Sequence, residues 1–282
     1  MKTELTPELN WPEERYRLQW ILFDRGYLLG DAEVSGWLWS HDRVVHVLGA
    51  EPEGLMLGSW FGQPVAVAEV DEASIKAASI KATRRVALRS ALLASPMQQA
   101  LLARAAQVLR FDRDHRFCSR CGRQLEMLLH ELARRCQDCQ LDYYPRIHPC
   151  VIMLVTQGPL MLLAEGVRFA QPILSCLAGF VEAGETAETA VHREVFEESG
   201  LEIANLCYVA SQAWPFPHSL MLGFLAEYER GILNPDPAEL VRAQWVHPGE
   251  RHRVAPEGTL ARLLIDQHCQ RVLGHGYFTQ ED

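Results

Sequence analysis

The chain has 282 residues, a formal charge of −9, 48% hydrophobic and 22% charged residues, the make-up of a soluble globular protein with room for about two domains. The acidic balance argues against non-specific coating of nucleic acid. No run approaches the about 18 apolar residues of a membrane span, and the first residues lack the apolar core of a secretion signal, so cytoplasmic residence is expected.

Residues 1–114 read as a mixed α/β domain. They hold Trp11, Trp20, Trp37, Trp39 and Trp60, taken as core, and strand-like runs at Val44–Leu48 and Val65–Val70. From Ala82 to Ala94 the composition favours a helix, which Pro96 interrupts and Met97–Leu109 resumes. Between Ser74 and Arg110 there is no acidic residue, whereas Lys76, Lys81, Arg84, Arg85, Arg89, Arg104 and Arg110 are basic. A solvated face is the favoured reading of this stretch, with phosphate or RNA contact as the alternative.

Residues 115–146 carry Cys118-x2-Cys121-x14-Cys136-x2-Cys139. Two such knuckles in a chain without a secretion signal point to a four-thiolate structural Zn²⁺ site stapling two short hairpins, too small to hold a core unaided. Cys150, Cys176, Cys207 and Cys269 stand singly and read as buried apolar residues.

Residues 147–282 open with strands at Val151–Val155 and Leu160–Leu163 about a Gln157-Gly158-Pro159 turn. A segment follows in which Thr186 can cap a helix from Ala187 to Glu198, stopped by Ser199-Gly200. Glu194, Glu197 and Glu198 then share a helical face, and Arg193 and Glu185 are an expected internal pair. Such a face is either solvated or neutralised by divalent cations, for which all-oxygen ligands suit Mg²⁺ or Mn²⁺. Gly179, Glu185, Arg193, Glu194, Val195, Glu197, Glu198, Gly200 and Leu201 fit G-x5-E-x7-R-E-U-x-E-E-x-G-U, where U is aliphatic. This resembles the signature of the Nudix hydrolases without a departure. Further strands are expected at Tyr208–Ala210, Leu220–Tyr228 and Ala243–Val246, and a closing helix at Thr259–Leu273, together an α/β sandwich.

After the acidic helix comes Ser211-Gln212-Ala213-Trp214-Pro215-Phe216-Pro217-His218-Ser219, a proline-stiffened turn displaying two aromatic rings. On chemistry alone this is either a buried turn or a grip for a flat base, with Gln212 and Ser219 as hydrogen-bonding groups. Acidic signature, upstream four-cysteine ribbon and this turn together resemble the NADH pyrophosphatase family, also described as NAD-cap RNA hydrolases. The likeness covers roughly residues 100–270, including Leu109–Phe111, His115–Cys118 and Tyr143–Arg146. The family commonly has proline where this chain has Ala213, and the chain is somewhat long for the family, with the surplus near its N-terminus.

The resemblance implies an α+β protein: an N-terminal mixed domain, a zinc ribbon and a C-terminal Nudix α/β/α sandwich. It implies metal-dependent hydrolysis of the pyrophosphate of NAD(H) to NMN(H) and AMP, or removal of the NAD cap from RNA, by a homodimer. The metal set carried over is Glu194, Glu197, Glu198, Glu239 and the carbonyl of Ala178, with Glu198 as ligand or general base. Substrate contacts carried over are Phe180, Gln212, Ala213, Trp214, Pro215, Phe216, Pro217, His218, Ser219, Tyr144 and Glu131. Two other readings stay open: hydrolysis of another dinucleoside diphosphate such as ADP-ribose or a diadenosine compound, and an RNA-binding regulator that uses the ribbon.

Overall fold

In the computed structural model, the structure describes residues 5–7, 9–31, 36–71, 75, 83–128 and 131–277. Its Cα packing divides into two compact units, Met1–Arg146 and Ile147–Asp282.

The first unit contains a seven-stranded sheet. Its strands are β1 (Leu5–Thr6), β2 (Gln19–Asp24), β3 (Tyr27–Asp31), β4 (Trp39–Ser40), β5 (Leu55–Trp60), β6 (Gln63–Glu69) and β7 (Thr83–Ala87). Trp20, Trp37, Trp39 and Trp60 are buried as expected of core residues, whereas Trp11 is 38% exposed, tilted against Trp20 with Arg15 over its ring.

Two local expectations are corrected here. Val44–Leu48, read as a strand for its β-branched residues, belongs to helix α1 (His41–Leu48). The Ser40 hydroxyl accepts from Arg43 N–H, Gly49 closes the helix in the left-handed conformation, and Val44 and Val47, three apart, are the buried pair. The caps outweigh β propensity. The helix expected over Ala82–Ala94 begins only at Leu88 (α2, Leu88–Ala94), because Thr83–Ala87 pairs antiparallel with β3. Helix α3 then runs from Gln99 to Asp114.

This also disperses the basic stretch. Arg84 lies over the Trp37 ring, Arg85 bonds Asp24 and covers Tyr27, Arg104 donates to the Leu57 carbonyl, and Arg110 faces Asp114. Lys76 and Lys81 lie outside the described residues. After α3, β8 (Glu126–Met127), β9 (Arg134–Cys136) and β10 (Leu141–Tyr143) form a small antiparallel sheet around the cysteines.

The second unit is a six-stranded mixed sheet of β11 (His148–Gln157), β12 (Leu160–Gly166), β13 (Leu177–Phe180), β14 (Leu201–Trp214), β15 (Ser219–Gly231) and β16 (Leu240–Val246). Helix α4 spans Ala187–Ser199 and α5 spans Leu260–Leu273. β11 lies at the centre, parallel to β15 and antiparallel to β12 and β13. Its residues alternate between two cores. Val151, Met153 and Val155 pack with Ala190, Val191 and Val195 of α4, while Ile152 and Leu154 pack with Leu260, Ala261, Leu264 and Ile265 of α5. Because side chains of a strand point alternately to opposite faces, a helix covers each side, giving three layers. The near-continuous apolar run of β11 is what a doubly covered strand needs. No described helix is long and apolar enough to cross a membrane.

Candidate active site

Helix α4 forms where its end signals lie. The Thr186 hydroxyl accepts from Thr189 N–H, Glu188 occupies the first turn where the helix dipole favours an anion, and Gly200 ends the helix at φ 72° with its N–H on the Phe196 carbonyl. Apolar residues on one side pin it to the sheet, so neighbouring positions carry Glu194 and Glu198 inward, with 9% and 5% exposure. Glu197 is turned outward to Arg193 and does not line the cavity that its two neighbours enter.

That cavity, 380 Å³, is lined by Glu182, Glu194, Glu198, Glu239, Ala178, Phe180 and Arg168 among others. Ala178 sits there because β13 pairs with β11, Ala178 opposite Ile152. Glu239 is brought in by the end of α4 itself. Asp236 N–H donates to the Glu198 carbonyl at 3.0 Å, and the Asp236 carbonyl accepts from Glu239 and Leu240. Gly179 is required by contact: a Cβ there would lie 1.8 Å from Glu194 Cδ.

Arg193 organises the entrance. Its guanidinium bonds Glu185 through two nitrogens at 2.8 Å each, Glu194 at 2.8 Å, Glu197 at 2.9 Å and the Phe180 carbonyl at 2.9 Å. The Glu185 pair expected from sequence is therefore part of a larger hub. Arg193 holds the Glu185 carboxyl down at about 2, helped by Glu182 N–H. In the cavity the balance is opposite. Burial raises Glu194, with Arg193 acting against it. Burial, then the charges of Glu194 and Glu239 and a hydrogen bond with Glu239, push Glu198 up to about 8. Burial and its acidic neighbours thus favour the protonated form of Glu198, and a cation that offsets those neighbours would favour the carboxylate. Crowded, partly desolvated oxygen donors of this kind fit a hard divalent cation. Cys150 also lines the cavity as a neutral thiol, pushed up to about 12 by burial and the two glutamates. Cys150, Cys176 and Cys269 are buried as expected, but Cys207 is exposed on β14 and corrects that reading.

The aromatic turn is a hairpin end. β14 finishes at Trp214, β15 starts at its partner Ser219, and the Phe216–Pro217 bond is cis. Trp214 and Phe216 stack edge-on at 5.1 Å, while Pro215 and Ser219 are buried. Sequence reasoning missed His148. Its N–H donates to the His218 carbonyl at 2.9 Å, and its ring meets His218 at 4.2 Å and Phe180 at 6.2 Å, linking the turn to the cavity wall. Only the parallel β11–β15 register, His148 opposite Ser219, could have signalled it. Gln212 has a role not foreseen: its amide donates to the Gly258 carbonyl and accepts from Leu260 N–H, capping α5. Tyr144 and Glu131 belong to the first unit, where the Tyr144 hydroxyl donates to Glu131 at 3.3 Å.

In the first unit the sulfurs of Cys118, Cys121, Cys136 and Cys139 all lie within 4.8 Å of one another, and Cys121 and Cys136 are 3.6 Å apart. Zn–S bonds of ~2.3 Å in a tetrahedron require S···S separations of roughly 3.8 Å, so the set fits zinc rather than disulfides. The Tyr143 hydroxyl lowers the Cys118 thiol to about 6, favouring the thiolate a metal needs.

Two parts of the chain match known families. Residues 145–262 match the NUDIX domain family and residues 113–144 the NADH pyrophosphatase zinc ribbon domain. A NAD-capped RNA hydrolase NudC from Pseudomonas aeruginosa strain LESB58 is 42% identical over 219 residues, 77% of either chain. One from Yersinia enterocolitica serotype O:8 is 49% identical over 166 residues, 59% of this chain, and the likeness spans 64% of that relative's length. A crystal structure of a NUDIX hydrolase from Nitrosomonas europaea superposes with TM-score 0.47 at 20% identity, covering 58% of this chain and 96% of the other.

Proposed function

Because the chain belongs to the Nudix proteins of the NAD-capped RNA hydrolase family, we propose that it hydrolyses the diphosphate joining two nucleoside halves. NAD(H) and water would give NMN(H) and AMP; an NAD-capped RNA and water would give NMN and a 5′-monophosphate RNA. The observation that carries this reading is the convergence of Glu194, Glu198 and Glu239 on one cavity beside Phe180.

Glu194, Glu198 and Glu239 with the Ala178 carbonyl are the proposed holders of Mg²⁺ or Mn²⁺, and Glu197, which faces Arg193 outside the cavity, would join them on release from that arginine. Such ions, when bound, offset charge on non-bridging oxygens and acidify an attacking water. Glu198 is the proposed acceptor of the water proton or a direct ligand, and Arg193 keeps Glu194 in place for either. Phe180, Trp214 and Phe216 offer rings for the two bases, while Ala213, Pro215, Pro217, His218 and Ser219 shape the turn that carries them. Tyr144 and Glu131 are further proposed substrate contacts. A homodimer working in the cytoplasm, where thiolates stay reduced, completes the proposal.

A wider range reaching ADP-ribose and diadenosine compounds is the second reading, favoured by Gln212 spending its amide on α5 instead of a base. Measuring NMN release from NADH and from NAD-capped RNA side by side, with Mg²⁺ and with Mn²⁺, tests both. Release from neither substrate, with ADP-ribose cleaved, would replace the first reading by the second.

A further inference from the structure

Four carboxylates line the cavity, those of Glu182, Glu194, Glu198 and Glu239, and the lining includes one cationic side chain, Arg168. The diphosphate proposed to enter brings further negative charge. A group that meets it from the protein side must be cationic, within reach, and not already spent on a carboxylate.

Arg168 satisfies these conditions. It follows β12 in a tight turn in which Phe169 N–H donates to the Gly166 carbonyl at 3.1 Å, with the Phe169 ring folded back over Gly166. The residue before it is fastened to the ligand-bearing loop, since Val167 N–H donates to the Glu239 carbonyl at 2.9 Å. Beyond the turn the Gln171 side chain accepts from Arg253, and Ser175 pairs with Ala164. The backbone is thus tied on both sides of Arg168. Its guanidinium makes no hydrogen bond or ion pair among the described residues, in contrast to Arg193, which is saturated. An arginine costs little to leave exposed, but one that lines an acidic cavity without bonding any of its acids is set up for an anionic visitor.

We infer that Arg168 is a substrate-binding residue, a fork that grips a non-bridging oxygen of the diphosphate at the cavity wall carried by the 166–169 turn. This rests on the function proposed above and adds to it the group that reads the phosphates themselves. Because the turn is bonded to Glu239, a grip by Arg168 would also fix the register of the diphosphate against the glutamates.

The test compares the full chain with Arg168→Ala and Arg168→Lys. NADH hydrolysis is followed for KM and kcat, and calorimetry follows binding of inorganic pyrophosphate in the presence of Mg²⁺. Arg168→Ala should raise KM about tenfold, with a smaller fall in kcat, and weaken pyrophosphate binding by a similar factor, as expected for loss of a charge-assisted bond. Arg168→Lys should recover part of both, and the melting temperature should stay at the parent value. Equal KM and equal pyrophosphate affinity in parent and Arg168→Ala overturn the inference, as does a parent that does not bind pyrophosphate. A parent inert toward NADH whose pyrophosphate binding is lost in Arg168→Ala would sink the proposed substrate while upholding the phosphate grip.

Discussion

Glu198→Gln separates the cost of the acidic cavity from its use. The Glu198 carboxyl, raised to about 8 in the folded chain, titrates near 4.3 when unfolded. Between those values the folded state binds more protons, so its contribution to stability falls as pH rises from about 4.3 to 8. At pH 7 the difference spans roughly two and a half pH units at about 1.4 kcal/mol each, an upper figure of about 3.5 kcal/mol. Glutamine is neutral at every pH and can still donate a hydrogen bond to Glu239, so it escapes this cost. In buffer free of Mg²⁺ and Mn²⁺ the variant should melt about 5–10 °C above the parent at pH 7 and within about 2 °C of it at pH 4. Turnover should fall by about a hundredfold or more. Calorimetric melts at the two pH values decide the matter: a variant no more stable at pH 7 than at pH 4, relative to parent, refutes the burial argument. Near-parental turnover refutes the assignment of Glu198 to the chemistry.

Gly179→Ala should fold but lose about a hundredfold in kcat/KM, since a methyl 1.8 Å from Glu194 Cδ must displace a carboxylate that Arg193 holds; steady-state kinetics with retained melting behaviour checks this. Arg193→Lys should lower the melting temperature at pH 7, because an ammonium cannot span Glu185, Glu194 and Glu197. Glu185, depressed to about 2, contributes stability that is present above about 4.5 and lost as pH falls toward 2; Arg193→Lys should flatten that acid limb in a pH series of melts. Cys136→Ser should drop zinc from about one equivalent per chain to near none and destabilise the first unit; elemental analysis with a melt that shows neither would remove the ribbon site.

Where local chemistry decides, the structure was legible in advance. Thr186 and Gly200 bound α4 as the end signals require, and the cysteine spacing announces its own geometry. The failures have one cause in common. Val44–Leu48 and Thr83–Ala87 took the state of their surroundings, a pair of caps in one case and a waiting strand edge in the other. The outward turn of Glu197 came from Arg193, one residue serving three acids, which periodicity alone does not reveal. Gln212, His148 and Arg168 acquire their meaning only from chain segments remote in sequence: α5, the β11–β15 register and the Glu239 loop.

The strict alternation along β11 carries a consequence for anyone altering this scaffold. Odd-numbered positions 151–155 press on the acidic helix and even-numbered ones on the closing helix, so changes of side-chain size on the two sets should report on different halves of the domain. Losing or gaining a single residue in that strand would be another matter, because every apolar group beyond the lesion would swap layers at once. The strand should therefore accept new volumes far more readily than a new length.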